Sequence, residues 1–305
     1  MRAGEYPAAL VSDYHLHLHP HQPSPEGPPP GEYPPGHIEA FVEAAARRGV
    51  HELGFTEHLY RCVESRGALG NWWEREPDPR LAAQTEGFVV ADRNLSLDTY
   101  VTAVEKAKTQ GLPVLLGLEV DFFPETVEAV IDLLDPYPWD FLIGSVHWIG
   151  GWAVDNSAVG YVWDEWGVER GYDEYFALET QLAASGVVDV LAHVDVVKKH
   201  GHRLPHEPLH HYGAVVAAAA ASGTAVEVSS QGLRNEVAEV YPSPVFLRMF
   251  REAGVQITLA SDAHFPDEAA WGHDAVVGAA RRAGYGERLR FRDRVGELAP
   301  LESSS

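Results

Sequence analysis

The chain has 305 residues, 45% of them hydrophobic, enough to bury the core of one large α/β barrel or two smaller domains. Its formal charge of −22, from 45 acidic against 23 basic side chains, creates a long-range field that repels nucleic acid and anionic lipid. No run approaches the roughly 18–20 apolar residues of a membrane span, the start MRAGEYPAAL lacks the regions of a signal peptide, and the single Cys62 excludes an internal disulfide and a thiolate metal site, so a cytoplasmic location is expected.

In chain order, AALVSDYHLH (8–17) predicts a first strand running into alternating His15, His17, His19 and His21. Alternate residues of an extended chain share a face, so at least His15 and His17 aim at a common point. The Pro-rich stretch 21–37 reads as the loop before a helix at 37–48. HELGFTEH (51–58) is the second strand, ending in Glu57 and His58, and a long irregular stretch with Trp72 and Trp73 follows at 60–96. A helix at 97–111 leads to PVLLGLEV (113–120), which delivers Glu119 and Asp121. A helix at 124–135 leads to DFLIGSVH (140–147), ending in His147. A second irregular stretch at 150–171 carries Trp152, Trp163 and Trp166. Beyond it lie a helix at 172–185, the strand VDVLAH (188–193) ending in His193 beside Asp195, and a helix at 206–222. TAVEVSS (224–230), a helix at 243–253, VQITLASDAH (255–264) with Asp262 and His264, and a helix at 268–282 complete the pattern.

Seven strands alternating with helices predict a parallel sheet closed into a barrel, with the long loops on its catalytic face. No linker divides the chain, so a single barrel domain over 1–305 is expected, its core at about 11–290. Each polar strand end has an ordinary explanation alone: a hydrogen-bonded histidine, an ion-pair partner, a helix cap. Six of the seven strands, however, deliver imidazole or carboxylate to the same end, and such a cluster is costly to desolvate without compensating cations. Imidazole with carboxylate and no thiolate suits Zn, Mn or Fe better than Mg or Ca. Seven or more candidate ligands exceed what one ion uses, so two or three divalent ions are expected, an arrangement that hydrolyses phosphate esters. Cys62 lacks a cationic partner that would make it a nucleophile, and Ser145 and Ser261, beside the candidate ligands, read as supporting residues.

The motifs HLH, TEH, GLEVDF, GSVH, AHVD and SDAH, in this order from about residue 11 to 275, resemble those of the PHP (polymerase and histidinol phosphatase) family. GLEVDFFP, FLIGSVHWIGGW, KKHGHRLP, SSQGLRNEVAEVYPSP and SDAHFPDE are most similar to its stand-alone histidinol-phosphate phosphatases. The resemblance implies an α/β fold, a distorted (β/α)7 barrel of TIM-like form, with a trinuclear centre at the C-terminal strand ends. It implies that His15, His17, Glu119 and Asp262 hold one ion, that Glu119 bridges to a second held by His147 and His193, and that His58 and His264 hold the third. The last ligand falls in the loop after the first strand, where His19, His21 and His37 are all available; His21 is favoured because the family places a ligand shortly after the HxH pair.

The implied reaction is hydrolysis of L-histidinol phosphate in histidine biosynthesis by a metal-activated hydroxide, with Glu119, Asp262 and His264 as the catalytic set. Arg234 in QGLRN, with Arg203 and Lys198 in KKHGHR, are the candidates for gripping the phosphate, whereas Lys199 reads as a solvated charge. The expected partner is a small phosphorylated substrate, with no nucleic acid and no membrane, and a homo-oligomer is compatible with the sequence. Another phosphomonoester, a phosphotyrosine or a nucleic-acid end as substrate, and a non-catalytic metal-binding barrel, are the competing readings.

Overall fold

The structure is a computed structural model that describes residues 11–21 and 27–301; the expected strand positions 8–10 and part of the Pro-rich loop, 22–26, lie outside the described residues. The strands are β1 (Ser12–Leu16), β2 (Glu52–Phe55), β3 (Val114–Leu116), β4 (Glu119–Asp121), β5 (Ile143–Ser145), β6 (Trp148–Ile149), β7 (Trp152–Ala153), β8 (Val190–Leu191), β9 (Ala225–Ser229), β10 (Ile257–Ala260), β11 (Glu287–Arg292) and β12 (Val295–Pro300). The helices are α1 (His37–Ala46), α2 (Ser65–Leu69), α3 (Pro79–Asp92), α4 (Leu97–Thr109), α5 (Val127–Leu134), α6 (Tyr161–Trp166), α7 (Val168–Ser185), α8 (Leu209–Ser222), α9 (Pro244–Glu252) and α10 (His273–Arg282).

Two parallel sheets, β1-β2-β3 and β10-β9-β8-β5-β4, carry the seven expected strands. The predicted strand 113–120 is interrupted at Gly117 and Leu118, giving β3 and β4. A Cβ on Gly117 would lie 2.7 Å from the Phe141 ring and 2.9 Å from the Phe55 carbonyl oxygen, so only glycine lets the chain pass here. Isolated parallel bridges Leu16–Ala263 and His58–Glu119 join the two sheets on both sides and complete a ring of strands. All the barrel pairings are parallel, so their C-terminal ends gather at one mouth.

The opposite end is plugged by apolar side chains. Tyr14, Leu115, Phe141, Ile143, Val190, Ala192 and Ala225 cluster there with Phe291. Phe291 arrives on an antiparallel hairpin, β11–β12, that the strand-helix alternation does not foreshadow. Arg290 and Arg292 of this hairpin place Nη2 2.8 and 2.6 Å from Glu52 Oε2 at the start of β2, and Tyr14 also donates to Glu52. Burial alone would raise Glu52, yet these donors hold it below the ordinary glutamate range.

The two long irregular stretches are more ordered than expected. Within 60–96 lies the 14-residue helix α3, whose start is written in Asp78-Pro79: the Asp78 carboxylate accepts from Arg80 N at 2.8 Å, and proline needs no donor at the first helical position. Within 150–171 lie β7 and α6, and Trp152 packs edge-on against Trp163 and Trp166. Both segments follow strand ends and form walls over the barrel mouth.

Candidate metal centre

Glu119 stands at the centre of the mouth, fully buried. Its Oε2 lies 2.6 Å from His58 Nδ1, 3.5 Å from His15 Nε2 and 3.6 Å from His17 Nε2. Its Oε1 lies 3.0 Å from His193 Nε2 and 3.4 Å from His147 Nε2. Asp262 Oδ1 approaches His17 Nε2 at 3.4 Å, His15 Nε2 at 3.6 Å and His264 Nδ1 at 3.7 Å. Four strand ends thus aim five imidazoles at one carboxylate, and the end of β10 adds a second acid.

The side chains around this cluster fix its rings. His15 Nδ1 donates to Glu227 Oε2 at 2.8 Å, which turns Nε2 inward, and the other Glu227 oxygen accepts His193 N at 2.7 Å. His147 Nδ1 donates to Asp121 Oδ1 at 3.0 Å, while Asp121 Oδ2 accepts Tyr60 N. Asp13 receives Ser261 N, Ser261 Oγ and Ala270 N, holding the loop that presents Asp262. That loop is strained: Asp262 has φ 52° and His193 φ 22°, left-handed values that a non-glycine residue adopts only when its surroundings impose them.

Several atoms in the cluster are buried without a hydrogen-bond partner: His17 Nδ1, both ring nitrogens of His58, Glu119 Oε2, His193 Nδ1, Asp262 Oδ1 and His264 Nε2. Unpaired buried polar atoms are rare in folded proteins, and a concentration of them on imidazole and carboxylate fits a divalent cation. Burial lowers His58 and His264 well below the ordinary histidine range and lowers His17 as well, which favours the neutral form that binds metal. Burial acts in the opposite sense on Glu119 and Asp262, but the histidines around them outweigh it and keep both well below the usual carboxylate range. Groups of three with ligand atoms within 4.8 Å of one another include His15–His17–Glu119, His15–His193–Asp262, His58–Glu119–His147 and His17–His58–His264.

The loop histidines separate cleanly. His19 spends Nδ1 on Glu57 and Nε2 on the Glu32 carbonyl, and His37 spends Nε2 on the Leu18 carbonyl at 2.8 Å. His21 alone of the three lines the cavity, its ring 4.8 Å from that of His58 and 4.6 Å from that of His264.

The cavity over this centre has a volume of about 450 Å3, with Phe88, Trp148 and Val159 on its apolar side and Gln84, Asp155, Asn156, Lys199, His200 and Gln231 among its polar groups. The structure places the three expected phosphate grips outside this lining. Lys198 is 3% exposed and pairs with Asp195 at 2.6 Å and Glu239 at 2.8 Å; Arg203 pairs with the same Glu239 at 3.1 Å. Neither lines the cavity; Lys198, in the turn at 196–198, is engaged by Asp195 and Glu239 instead. Arg234 does not line it either: its Nη2 donates to the carbonyls of Ser261 and Asp262, both at 2.8 Å, and Nη1 lies 3.1 Å from Glu268, so it braces the Asp262 loop. Among the described residues, the lysine or arginine on the cavity wall is Lys199, read from the sequence as a solvated charge, with Nζ 3.0 Å from Asp155 Oδ2. Glu227, Asp155 and Lys199 are the site residues that sequence reasoning missed; the acid in the apolar run AVEVS is the one visible signal, for Glu227.

Fold and site together define a parallel α/β barrel with a histidine- and carboxylate-lined centre at its C-terminal mouth. The model of the PHP domain matches residues 15–231, and the chain belongs to the PHP family. It is 32% identical over 254 residues to a protein named "Probable histidinol-phosphatase" from Deinococcus radiodurans, covering 83% of this chain and 90% of the relative. A Schizosaccharomyces pombe protein of the same name is 24% identical over 250 residues, 76% of each chain. Among solved structures, the histidinol phosphate phosphatase of Lactococcus lactis, complexed with Zn, L-histidinol and phosphate, superimposes with a TM-score of 0.70 at 20% identity, covering 94% of this chain and 98% of that one. No helix among the described residues is long and apolar enough to cross a membrane.

Proposed function

We propose that this chain is a metal-dependent phosphomonoesterase acting on L-histidinol phosphate, in the cytoplasm, as a step of histidine biosynthesis. The observation that carries the reading is the convergence of five imidazoles on Glu119 beneath a cavity of substrate size. The 32% identity to a relative named as a histidinol-phosphatase, and the L-histidinol and phosphate bound by the Lactococcus protein, support the substrate. His15, His17, Glu119 and Asp262 would hold one ion, with Glu119 shared by a second on His147 and His193; His58, His264 and His21 would hold the third. When bound, such ions supply positive charge for phosphoryl oxygens and acidify a water.

The chain's own residues do the rest. Glu227 and Asp121 orient His15 and His147, and Arg234 and Asp13 brace the loop of Asp262. Glu119, Asp262 and His264 face the reacting position. Lys199 offers the phosphate a cation inside a chain whose overall field repels it.

The test is a panel of phosphomonoesters assayed with metal-quantified protein. L-Histidinol phosphate is expected to show a kcat/KM well above that of p-nitrophenyl phosphate, although the latter has the better leaving group, because binding energy from the remote imidazole and amine is realised at the transition state. A preference for the activated aryl ester or for phosphotyrosine peptides contradicts the reading.

A further inference from the structure

Among the described residues, the cavity wall away from the metal centre carries the ion pair of Asp155 with Lys199, and its placement is built by several elements. The β6–β7 hairpin doubles back so that Val154 N donates to the His147 carbonyl at 2.9 Å, which sets the next residue, Asp155, beside the metal-facing end of β5. His200 Nε2 donates to the Asp155 carbonyl at 2.9 Å and fixes its backbone. Lys199 engages one carboxylate oxygen, Oδ2, at 3.0 Å. Burial alone would raise Asp155, but Lys199 and His147 hold it well below the ordinary aspartate range, so it stays an anion. Among the described residues lining the cavity, Asp155 and Asp262 are the only carboxylates, and Asp262 belongs to the metal centre.

A half-buried anion on the cavity wall of an overall acidic protein hinders a phosphate dianion unless the same substrate brings a positive charge. We propose that Asp155 forms an ammonium subsite, so that the cavity takes phosphomonoesters whose alcohol half carries a protonated amine. The proposal rests on the phosphomonoesterase reading and adds the residue that selects the amine. The ion pair then presents two complementary charges to a zwitterionic ester. Lys199 meets the phosphate end and Asp155 the ammonium, while Phe88, Trp148 and Val159 offer apolar surface to the remaining ring. Because no bond is made or broken at Asp155, it is a specificity-determining residue.

The experiment compares kcat/KM for L-histidinol phosphate and its des-amino analogue, imidazolylpropyl phosphate, in the metal-loaded wild type, Asp155→Asn and Asp155→Glu. A charge-assisted contact predicts that the wild type prefers the amine-bearing ester by roughly tenfold to a hundredfold. In Asp155→Asn that preference should collapse to within about threefold, whereas Asp155→Glu, which keeps the charge, should retain most of it. An unchanged preference in a folded, metal-loaded Asp155→Asn overturns the subsite. Should that variant not fold, the wild type decides alone, since equal hydrolysis of the two esters also overturns it. Hydrolysis of neither ester overturns the phosphomonoesterase reading beneath.

Discussion

Glu119→Gln is expected to lower kcat/KM for the phosphomonoester by about three orders of magnitude or more, above the ten- to hundredfold typical of losing a group that only supports a ligand. The reason is the geometry around one carboxylate. Both Glu119 oxygens face imidazole nitrogens, Oε1 toward His193 and His147, Oε2 toward His58, His15 and His17. An amide keeps the shape but offers one neutral oxygen, and its NH2 points a donor where a cation would sit. The variant should therefore also lose bound metal. His37→Gln is the matched control: its ring is spent on the Leu18 carbonyl outside the cavity, so activity should stay within about twofold of wild type. Steady-state kinetics on both variants check this, and equal losses would mean that the ligand set is wrong.

Glu227→Gln should cost about ten- to a hundredfold in activity or metal affinity, the range for residues that orient metal ligands. Glu227 sits in the middle of β9, 1% exposed, and reaches no cavity surface. One of its oxygens takes His15 Nδ1–H and the other takes His193 N, so a single carboxylate fixes a ring on β1 and a strained backbone after β8. The amide can satisfy only one of these two donors. Kinetics against added divalent ion should show the loss as a weaker ion requirement curve, partly recovered at high metal concentration. A loss that no metal concentration relieves would place Glu227 in folding alone.

The sequence made the barrel visible because each strand is a short apolar run that ends in a polar pair, and the ring of parallel pairings has the seven strands at the expected places. It also brought the clustered histidines and carboxylates of the mouth into view, since alternation fixes which side chains leave a strand end together. The parts that stayed hidden depend on distant pairings. Whether Lys198 or Lys199 faces the cavity is decided by a one-turn 3-10 segment and by Glu239, some 40 residues away. Asp155 reaches the mouth through a two-residue hairpin too short to leave a periodic signal. The β11–β12 hairpin reads as exposed and polar, and its role at the barrel floor depends on Phe291 and on Glu52 far earlier in the chain. The start of α3, by contrast, is written in Asp78-Pro79, a cap followed by a proline, but the segment beyond it lacks the strong apolar stripe that marks a helix.

The central claim is that the buried imidazoles and carboxylates at the barrel mouth exist to hold cations. Elemental analysis of wild-type protein purified without chelator, read against protein concentration and set beside Glu119→Gln, tests it most directly. Two to three transition-metal ions per chain, as a shared carboxylate with a further site implies, and a clear fall in the Glu119→Gln variant, are the predicted result. Less than one ion per chain in a folded wild type that still hydrolyses its phosphomonoester would contradict the account.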